Sequence, residues 1–393
     1  MSAVPVFAGL RALVVSSDFP YPTIHGGRVD IWGRLKALSR LGFDIDLLAT
    51  VKAPPDPADV AHVMTVVRTV RTLERRRGPL QMLGLRPFQM ASRSDLASVP
   101  LHGTYDLVLL EGSYVMPVLD NPALQSRLTV LKMHNDEAVY CLELARSTRN
   151  PLKRIFLLLE YLRFSRENAM LAKHVKTVFF SSNSECIAFK HRSPELDVAH
   201  LGGALLEDQV VERPRNGAKV LFSGSLFMPN NQDAIEWYLR EAHPHLLDIP
   251  GYELMVVGRS SGVSSEWLSR LRQTQRVALH ENVPDMDPYY ESAAVFVNPM
   301  QFGTSIKMKT IEALRNGVPV VSTSCGAMGD RFEDGTHLLI ADQGKDFAAA
   351  VRSLLTNRAL NDRIAAGGHQ LIREDYDHAA KLVRLLGPRL GKS

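Results

Sequence analysis

The sequence predicts an α/β protein with two doubly wound domains, on the basis of its length, its strand-length apolar runs and a restart of the pattern near residue 217. The chain has 393 residues, about twice the usual length of one domain. Continuous apolar runs alternate with helical segments, as in parallel sheets covered on both faces. The runs of the first half are RALVVSS (11–17), FDIDLLA (43–49), YDLVLLE (105–111), LTVLKMH (128–134) and KTVFFSS (176–182).

A second series of strands follows a charged segment that contains Pro and Gly, around Glu212 to Gly217. We therefore expect a first domain over 1–210 and a second over 211–375. The predicted strands of the second domain are KVLFSG (219–224), ELMVVG (253–258), VALHE (277–281), AVFVNP (294–299), PVVST (319–323) and LLIA (338–341).

The composition is that of an ordinary globular protein, with 45% hydrophobic and 22% charged residues. Three widely separated cysteines predict neither disulfides nor a zinc site, and favour a reducing compartment. No apolar run is long enough to span a membrane, and Arg11 interrupts the apolar N-terminus, which argues against a cleaved signal.

The net charge of +4 is distributed unevenly along the chain. Up to Leu205 there are 25 Lys and Arg against 19 Asp and Glu, a charge of +6, and the remaining 21 against 23 give −2. A basic first half indicates either an acidic partner, such as a membrane surface or a phosphorylated acceptor, or only an excess that aids solubility.

The segment NPLKRIFLLLEYLRFSRENAM (150–170) mixes basic and apolar residues at helical spacing. Such a helix can lie on anionic lipid. Because its apolar residues nearly encircle the helix, the pattern favours a core helix with basic flanks.

The stretch FGTSIKMKTIEALRNGVPVV (302–321) predicts an anion-binding helix start after a strand. The free backbone N–H groups of such a start favour phosphate, and Lys307 and Lys309 would add charge. Glu312, three residues after Lys309, is placed either to bind sugar hydroxyls or to form an ordinary surface ion pair.

This stretch, with GAMGDRFEDGTHLLIAD (326–342), resembles the nucleotide-sugar site of retaining GT-B glycosyltransferases of the family 4 type, which carry a Glu-x7-Glu donor motif. The resemblance rests on Gly303, the two lysines, Glu312-Ala-Leu and Gly317-Val-Pro-Val-Val. It implies that Glu312 binds the nucleotide ribose and that amides near Ser305 and Ile306 bind the diphosphate. Thr304 stands where many members have a glutamate near the donor sugar.

Other segments extend the resemblance over nearly the whole chain. VLFSGSLFMPNNQDAIEWY (220–238) resembles the first strand, loop and helix of the nucleotide domain, which implies donor contacts for Gly224 and Asn230. ELMVVGRSS (253–261) places Gly258 and Arg259 at the next strand end, toward the diphosphate. Val283 would lie near the nucleotide base.

In the first half, the resemblance implies a Gly-Gly loop at Gly26 and Gly27, which lets backbone approach the acceptor and the donor phosphate. His134 follows a strand and would lie near the transferred sugar. Glu111 follows another strand and is expected to face the acceptor.

The resemblance implies the GT-B fold, two Rossmann-like doubly wound domains with an interdomain cleft, and a C-terminal helix (376–393) that packs back on the first domain. The expected reaction moves a sugar from a nucleotide diphosphate sugar to an acceptor hydroxyl, with retention, in glycan or glycoconjugate biosynthesis. His134, Lys307 and Lys309 are the expected catalytic residues, and the acceptor is a glycan, a lipid-linked molecule or a small molecule. No nucleic acid partner is expected.

Neither a metal nor another cofactor is expected, because neither Asp-x-Asp pattern has the position of a cation site. Asp44 and Asp46 begin a strand, and Asp285 and Asp287 have the spacing of a helix cap. We expect a cytoplasmic protein with peripheral contact to the inner face of the membrane. A nucleotide-sugar epimerase and a non-catalytic sugar-binding protein are the alternative functions.

Overall fold

The computed structural model describes residues 5–76, 78, 80–148, 150–204, 210–212, 217–303, 307–328 and 331–392, with the side chains of 80 and 83 left aside. The chain forms two compact units. One comprises Met1–Leu206 with His378–Ser393, and the other comprises Glu207–Asp377.

The first unit contains a sheet of seven parallel strands in the order β3-β2-β1-β4-β5-β6-β7. All five apolar runs predicted from the sequence form strands, and two further strands complete the sheet. The strands are β1 (Arg11–Ser16), β2 (Asp44–Val51), β3 (Thr69–Glu74), β4 (Thr104–Glu111), β5 (Gln125–Met133), β6 (Thr177–Phe180) and β7 (Asp197–His200).

The second unit contains a sheet of six parallel strands in the order β10-β9-β8-β11-β12-β13. All six runs predicted for this part form strands. They are β8 (Lys219–Ser223), β9 (Glu253–Gly258), β10 (Val277–Glu281), β11 (Val295–Asn298), β12 (Val320–Ser322) and β13 (Leu339–Ile340).

The connections between the strands are mostly helical. In the first unit they are α1 (Gly26–Arg40), α2 (Pro57–Val63), α3 (Leu80–Leu83), α4 (Phe88–Ala91), α5 (Glu137–Ser147), α6 (Pro151–Met170) and α7 (Asn183–Arg192). In the second unit they are α8 (Pro229–Glu241), α9 (Ser265–Gln273), α10 (Asp287–Ser292), α11 (Met308–Arg315), α12 (Gly344–Thr356) and α13 (Arg358–Asp375). The last helix, α14 (His378–Leu386), belongs to the first unit.

Apolar residues cover both faces of the first sheet. On one face, α1 buries Ile31, Leu35 and Leu38, as its helical spacing predicts. α14 adds Leu382 and Leu386 to the same cluster, so the C-terminal helix packs against α1 and the sheet. This packing fixes α1, which carries several charged residues of the candidate site.

The prediction that 150–170 is a core helix is wrong. α6 buries only two of its apolar side chains, Leu157 and Phe164, while leucines on its opposite side are exposed. An apolar pattern that encircles a helix does not reveal which side a neighbour covers. Among the described residues, no helix is both long enough and apolar enough to cross a membrane.

Candidate active site

The first part of the candidate site lies at the start of α11, after strand β11. Lys307 is the N-cap residue, so the helix begins at Met308 and Lys309 lies in its first turn. The helix ends where the sequence predicts, because Asn316 is its C-cap and Gly317 has a φ of +68°, which glycine adopts without a Cβ clash. Three predicted donor residues of the preceding turn, Thr304, Ser305 and Ile306, lie outside the described residues.

Lys309 is held by two neutral groups. Its Nζ donates a hydrogen bond to Asn231 Oδ1 at 2.7 Å and lies 4.4 Å from the centre of the Phe222 ring. Asn231 is in turn anchored, since its Nδ2 donates to the carbonyl of Ser225 at 3.0 Å. Burial, followed by the nearby ammonium of Lys307, lowers the pKa of Lys309 to about 7. Because both of these neighbours are uncharged, an anionic ligand would stabilise the protonated form of Lys309.

Sequence reasoning chose Asn230 and missed Asn231, its neighbour in the first turn of α8. Asn231 is the buried residue that contacts Lys309, and the repeated asparagine of PNNQ is the signal that was overlooked. The side-chain oxygen of Asn230 is buried and accepts no hydrogen bond from the described residues. It therefore remains able to accept one from a ligand.

Two of the predicted donor glycines allow the ends of β8 and β9 to approach each other. A Cβ at Gly258 would lie 1.8 Å from the carbonyl oxygen of Gly224, and a Cβ at Gly224 would lie 2.8 Å from Asn231 Nδ2. Both positions therefore need glycine for packing. The next two predicted residues are accessible, Arg259 being exposed and Val283 half-buried.

Glu312 pairs with Arg315 rather than with Lys309. Arg315 Nε lies 3.1 Å from Glu312 Oε2, one turn further along the same helix, and both side chains are largely buried. Gly303, between β11 and α11, has a φ of +134°, and a Cβ there would lie 3.2 Å from Lys307 Nζ. The amine of Lys307 therefore lies over the backbone of Gly303.

The second part of the candidate site lies in the first unit, at the carboxyl ends of β4 and β5. His134 follows β5 and is partly exposed, with its Nδ1 3.2 Å from Asp30 Oδ2 and its Nε2 3.5 Å from Glu111 Oε2. Both carboxylates are buried. His134 is thus the accessible member of a buried charged cluster.

The prediction that Glu111 faces an acceptor is wrong for its side chain. Glu111 is fully buried, and Arg34 Nε lies 2.5 Å from its Oε1. Arg34 also pairs with Asp30 and contacts His378 Nε2 of α14 at 2.9 Å. Glu111 therefore supports Arg34 and His134 instead of touching a second substrate.

Burial and charge fix the protonation of this cluster. Although burial alone would raise the pKa of Asp30, Arg34, Lys132 and His134 hold it well below its usual range. Burial lowers the pKa of Lys132, against the attraction of Asp30, and burial together with Arg34 lowers that of His378. His378 is accordingly neutral at ordinary pH.

Asp30, Glu111 and His134 could offer three metal ligands within 4.8 Å of one another. However, Arg34 pairs with both carboxylates, and Lys132 Nζ lies 3.2 Å from Asp30. Two cations thus balance the two carboxylates, which leaves little negative charge to attract a divalent ion. The donor set does not fit a metal.

Gly26 and Gly27 are the first two residues of α1, not a loop as predicted. Both are exposed, and His25 caps the helix by accepting a hydrogen bond from the N–H of Arg28 at 3.4 Å. Backbone N–H groups at an exposed helix start remain open to a ligand, and glycine has no side chain to cover them. The two glycines therefore stay accessible although they belong to a helix.

The two Asp-x-Asp patterns have structural roles. Asp46 is bound by Arg11, Arg68 and Thr69, and Arg68 also pairs with Asp44. In the second pattern, the Oδ1 of the first aspartate, residue 285, accepts a hydrogen bond from the N–H of residue 287 at 3.0 Å, which is the turn chemistry predicted for this segment.

The buried residues that surround His134 were largely missed. Lys132 interrupts the apolar run LTVLKMH, and such a charge in a buried strand is a signal that sequence reasoning could have used. Glu137, at the start of α5, accepts a hydrogen bond from the Tyr114 hydroxyl at 2.6 Å, and burial raises its pKa to about 7. Burial also raises the pKa of Glu185, at the start of α7, to about 7.

Comparison with known proteins identifies a matching family and several relatives of this chain. A family model described as "Glycosyl transferases group 1" matches residues 217–357. An uncharacterized 44.6 kDa protein in the cps region of Klebsiella pneumoniae is 32% identical over 384 residues, which is 93% of this chain and 96% of that protein. The phosphatidyl-myo-inositol mannosyltransferase of Mycobacterium leprae (strain TN) is 28% identical over 180 residues, 43% of this chain and 45% of that protein.

Solved structures share the fold at low sequence identity. Sucrose-phosphate synthase from Thermosynechococcus elongatus has a TM-score of 0.70 and 18% identity, covering 98% of this chain and 100% of that one. Anabaena HepE in complex with UDP and glucose has a TM-score of 0.66 and 13% identity, covering 96% and 98%.

Two Rossmann-like parallel sheets and these neighbours define a glycosyltransferase of the GT-B fold class, which confirms the predicted fold and enzyme class. The chain belongs to the glycosyltransferase group 1 family.

Proposed function

We propose that this glycosyltransferase moves a sugar from a nucleotide diphosphate sugar to an acceptor hydroxyl, with retention of configuration and without a metal. The observation that carries the proposal is the start of α11. There Lys309, whose pKa is lowered to about 7, lies in the first turn of a helix, and the described groups that contact its amine, Asn231 and the Phe222 ring, are both neutral. A diphosphate would supply the negative charge that this site favours.

In this proposal the second unit binds the donor. Lys307 and Lys309 hold the diphosphate with the N–H groups near Ser305 and Ile306, and Glu312 accepts hydrogen bonds from the ribose. The helical pairing of Glu312 with Arg315 supports this role, because it orients the carboxylate.

The remaining donor contacts follow the same strand ends. Asn230 offers its unsatisfied side-chain oxygen, and Gly224 and Gly258 let backbone approach the diphosphate. Arg259 is placed for the diphosphate and Val283 for the base. Gly303 and Thr304 are also assigned to the donor in this proposal, and Gly27, with Gly26, offers exposed helix-start N–H groups in the first unit.

The chemical step mainly requires stabilisation of charge on the departing diphosphate. Backbone amides and two lysines can supply it without a cation, because such preorganised groups need no reorganisation as charge develops. The acceptor oxygen attacks the anomeric carbon from the face that the diphosphate leaves, and the leaving phosphate takes the acceptor proton. No protein nucleophile is required, which agrees with the full burial and pairing of Glu111.

His134 is proposed to contact the transferred sugar. Its ring is oriented by Asp30 and by Glu111, and it is the partly exposed member of that cluster. The carboxylates act through the ring, so they are positioning residues.

The proposed pathway is glycan or glycoconjugate biosynthesis at the cytoplasmic face of the membrane. The name of the Klebsiella relative, which refers to a cps region, supports this pathway, and the phosphatidyl-myo-inositol mannosyltransferase supports a lipid-linked acceptor among the alternatives. Because HepE was solved with UDP, a uridine diphosphate sugar is the first donor to test.

A thermal-shift screen of nucleoside diphosphates and their sugars tests the donor site, since a ligand of the folded state raises the melting temperature. Nucleoside diphosphate released only in the presence of an acceptor supports transfer. Conversion of the donor sugar without an acceptor would support an epimerase, and a thermal shift without turnover would support a binding protein.

Two measurements test retention of configuration and independence from metal. The anomeric proton coupling of the first product formed should show the configuration of the donor, and the inverted anomer would exclude retention. Activity should persist in EDTA, and a loss that Mg²⁺ or Mn²⁺ restores would exclude the metal-independent mechanism.

A further inference from the structure

α6 presents an apolar surface that no described residue of the protein covers. Its outward side chains recur at one-turn spacing, and their exposed fractions are 78% for Leu152, 57% for Ile155, 47% for Leu159 and 61% for Leu162. Leu158, next to this row, is 38% exposed. We call these five residues the α6 face. A contiguous row of this kind on a soluble unit marks a site of contact with another apolar phase.

The segment before α4 extends the α6 face. Met82 and Leu85 are exposed, and Arg163 of α6 donates a hydrogen bond to the carbonyl oxygen of Met82 at 2.8 Å. Phe88 packs edge-on against Phe156 of α6, with 6.5 Å between ring centres. The apolar surface therefore spans two neighbouring segments of the first unit.

The exposed charges of α6 itself have one sign. Every residue of α6 is described, and its exposed charged side chains are Lys153, Arg154 and Arg166. The acidic residues of the same helix, Glu160 and Glu167, are buried, and Glu160 is paired with Arg163. The helix thus offers apolar side chains bordered by cations, and its acids are directed inward.

We infer that the α6 face docks on an anionic lipid bilayer. Leucine and isoleucine side chains enter the boundary between headgroups and acyl chains, and the flanking Lys and Arg contact lipid phosphates. A second copy of this chain would bring like charges together along the two helices, so charge complementarity favours the bilayer over self-association. The row is short of the four heptads that a stable coiled coil commonly uses.

This surface is separate from the residues proposed to bind donor and acceptor, and vesicle binding requires neither substrate. If no donor is found, the proposed lipid-binding role of the α6 face is not affected. If the protein does not bind vesicles, the proposed sugar transfer to a soluble acceptor is not affected. The two proposals can therefore fail independently.

Sedimentation of the full chain with lipid vesicles tests the inference. The protein should pellet with vesicles of phosphatidylcholine that contain phosphatidylglycerol, and much less with phosphatidylcholine alone. The triple variant Ile155→Gln, Leu159→Gln, Leu162→Gln should bind at least about tenfold more weakly, because exposed apolar area is lost. Glutamine is nearly as good a helix former as leucine, so the fold should be retained and can be checked by circular dichroism.

Two further variants make the test specific. Arg154→Gln with Arg166→Gln should weaken binding to anionic vesicles about tenfold or more and reduce its salt dependence. Ile187→Gln removes a similarly exposed side chain from α7, outside the α6 face, and should bind like the original protein.

Three results would overturn the inference. They are failure of the original protein to pellet with anionic vesicles, equal binding by the triple variant, and equal binding to neutral vesicles. Sedimentation velocity distinguishes the competing occupant, because a dimer that the triple variant abolishes would assign the α6 face to a second copy.

Discussion

Lys309 Nζ and Asn231 Oδ1 lie 2.7 Å apart, which joins the first turn of α11 to the first turn of α8. Asn231 carries no charge, and the other close neighbour of the ammonium is the Phe222 ring. Burial and Lys307 accordingly lower the pKa of Lys309 to about 7. Diphosphate binding at the proposed site should therefore be coupled to protonation of Lys309, and this coupling can be measured.

We expect nucleotide affinity to fall as the pH rises above about 7. Lys309 is protonated below that pH in the free protein, and a bound diphosphate would raise its pKa. Above pH 7, binding must therefore take up a proton, and the Kd should rise by up to about tenfold per pH unit. Titration calorimetry of the diphosphate in buffers of different ionisation enthalpy measures the uptake directly. The Lys309→Met variant should show no such proton uptake, and equal uptake by this variant would assign the proton to another group.

Glu312→Ala should weaken nucleotide binding by roughly tenfold to a hundredfold, the cost of losing hydrogen bonds to a charged acceptor. Thermal stability should change little, since Glu312 pairs with Arg315 of its own helix and neither side chain is fully buried. Arg315→Gln is the matched control, because it breaks the same ion pair and keeps the carboxylate. Titration calorimetry compares the two, and equal losses would show that the ion pair, not ribose binding, explains the effect.

His134→Ala should slow turnover more than it weakens donor binding. If the ring contacts the transferred sugar mainly in the transition state, kcat should fall by about a hundredfold, while the Kd for the nucleotide sugar should rise by a much smaller factor. Steady-state kinetics combined with calorimetry separates the two quantities. Similar losses in both would make His134 a binding residue, and His134→Gln shows whether a neutral polar side chain restores part of the rate.

The fold was predictable because its signals are local. Apolar runs of strand length gave eleven of the strands, and the stop of α11 followed from Asn316 and Gly317. β3 was missed, because TVRTLE has only two apolar residues, three positions apart, and none of its residues is fully buried.

The candidate site was predictable only in part, because its charge pairing is not local. Glu111 follows a strand as an acceptor residue would, but its partner Arg34 is 77 positions away. Arg34 and Asp30 have the four-residue spacing of a surface ion pair on a helix, and yet both are buried. This spacing is compatible with an ion pair, but it could not reveal that α14 and the sheet cover the two residues.

Arg34→Met should destabilise the protein by about 3–5 kcal/mol, because it leaves Asp30 and Glu111 as buried carboxylates without their shared cation. The thermal midpoint of the first unit measures this loss. Adding Glu111→Gln to Arg34→Met should recover part of it, since one uncompensated charge is removed.

The loss of stability caused by Arg34→Met should also depend on pH, and it should decrease as the pH falls. The pKa of Asp30 is held well below its unfolded value, so its pairing stabilises the fold above the unfolded pKa, and this contribution fades as the pH falls toward the folded pKa. The difference in midpoint between Arg34→Met and the original protein should therefore be largest near neutral pH and shrink below about pH 4. A difference that stays constant over this range would show that the cost of losing Arg34 comes from packing, not from the unpaired carboxylates.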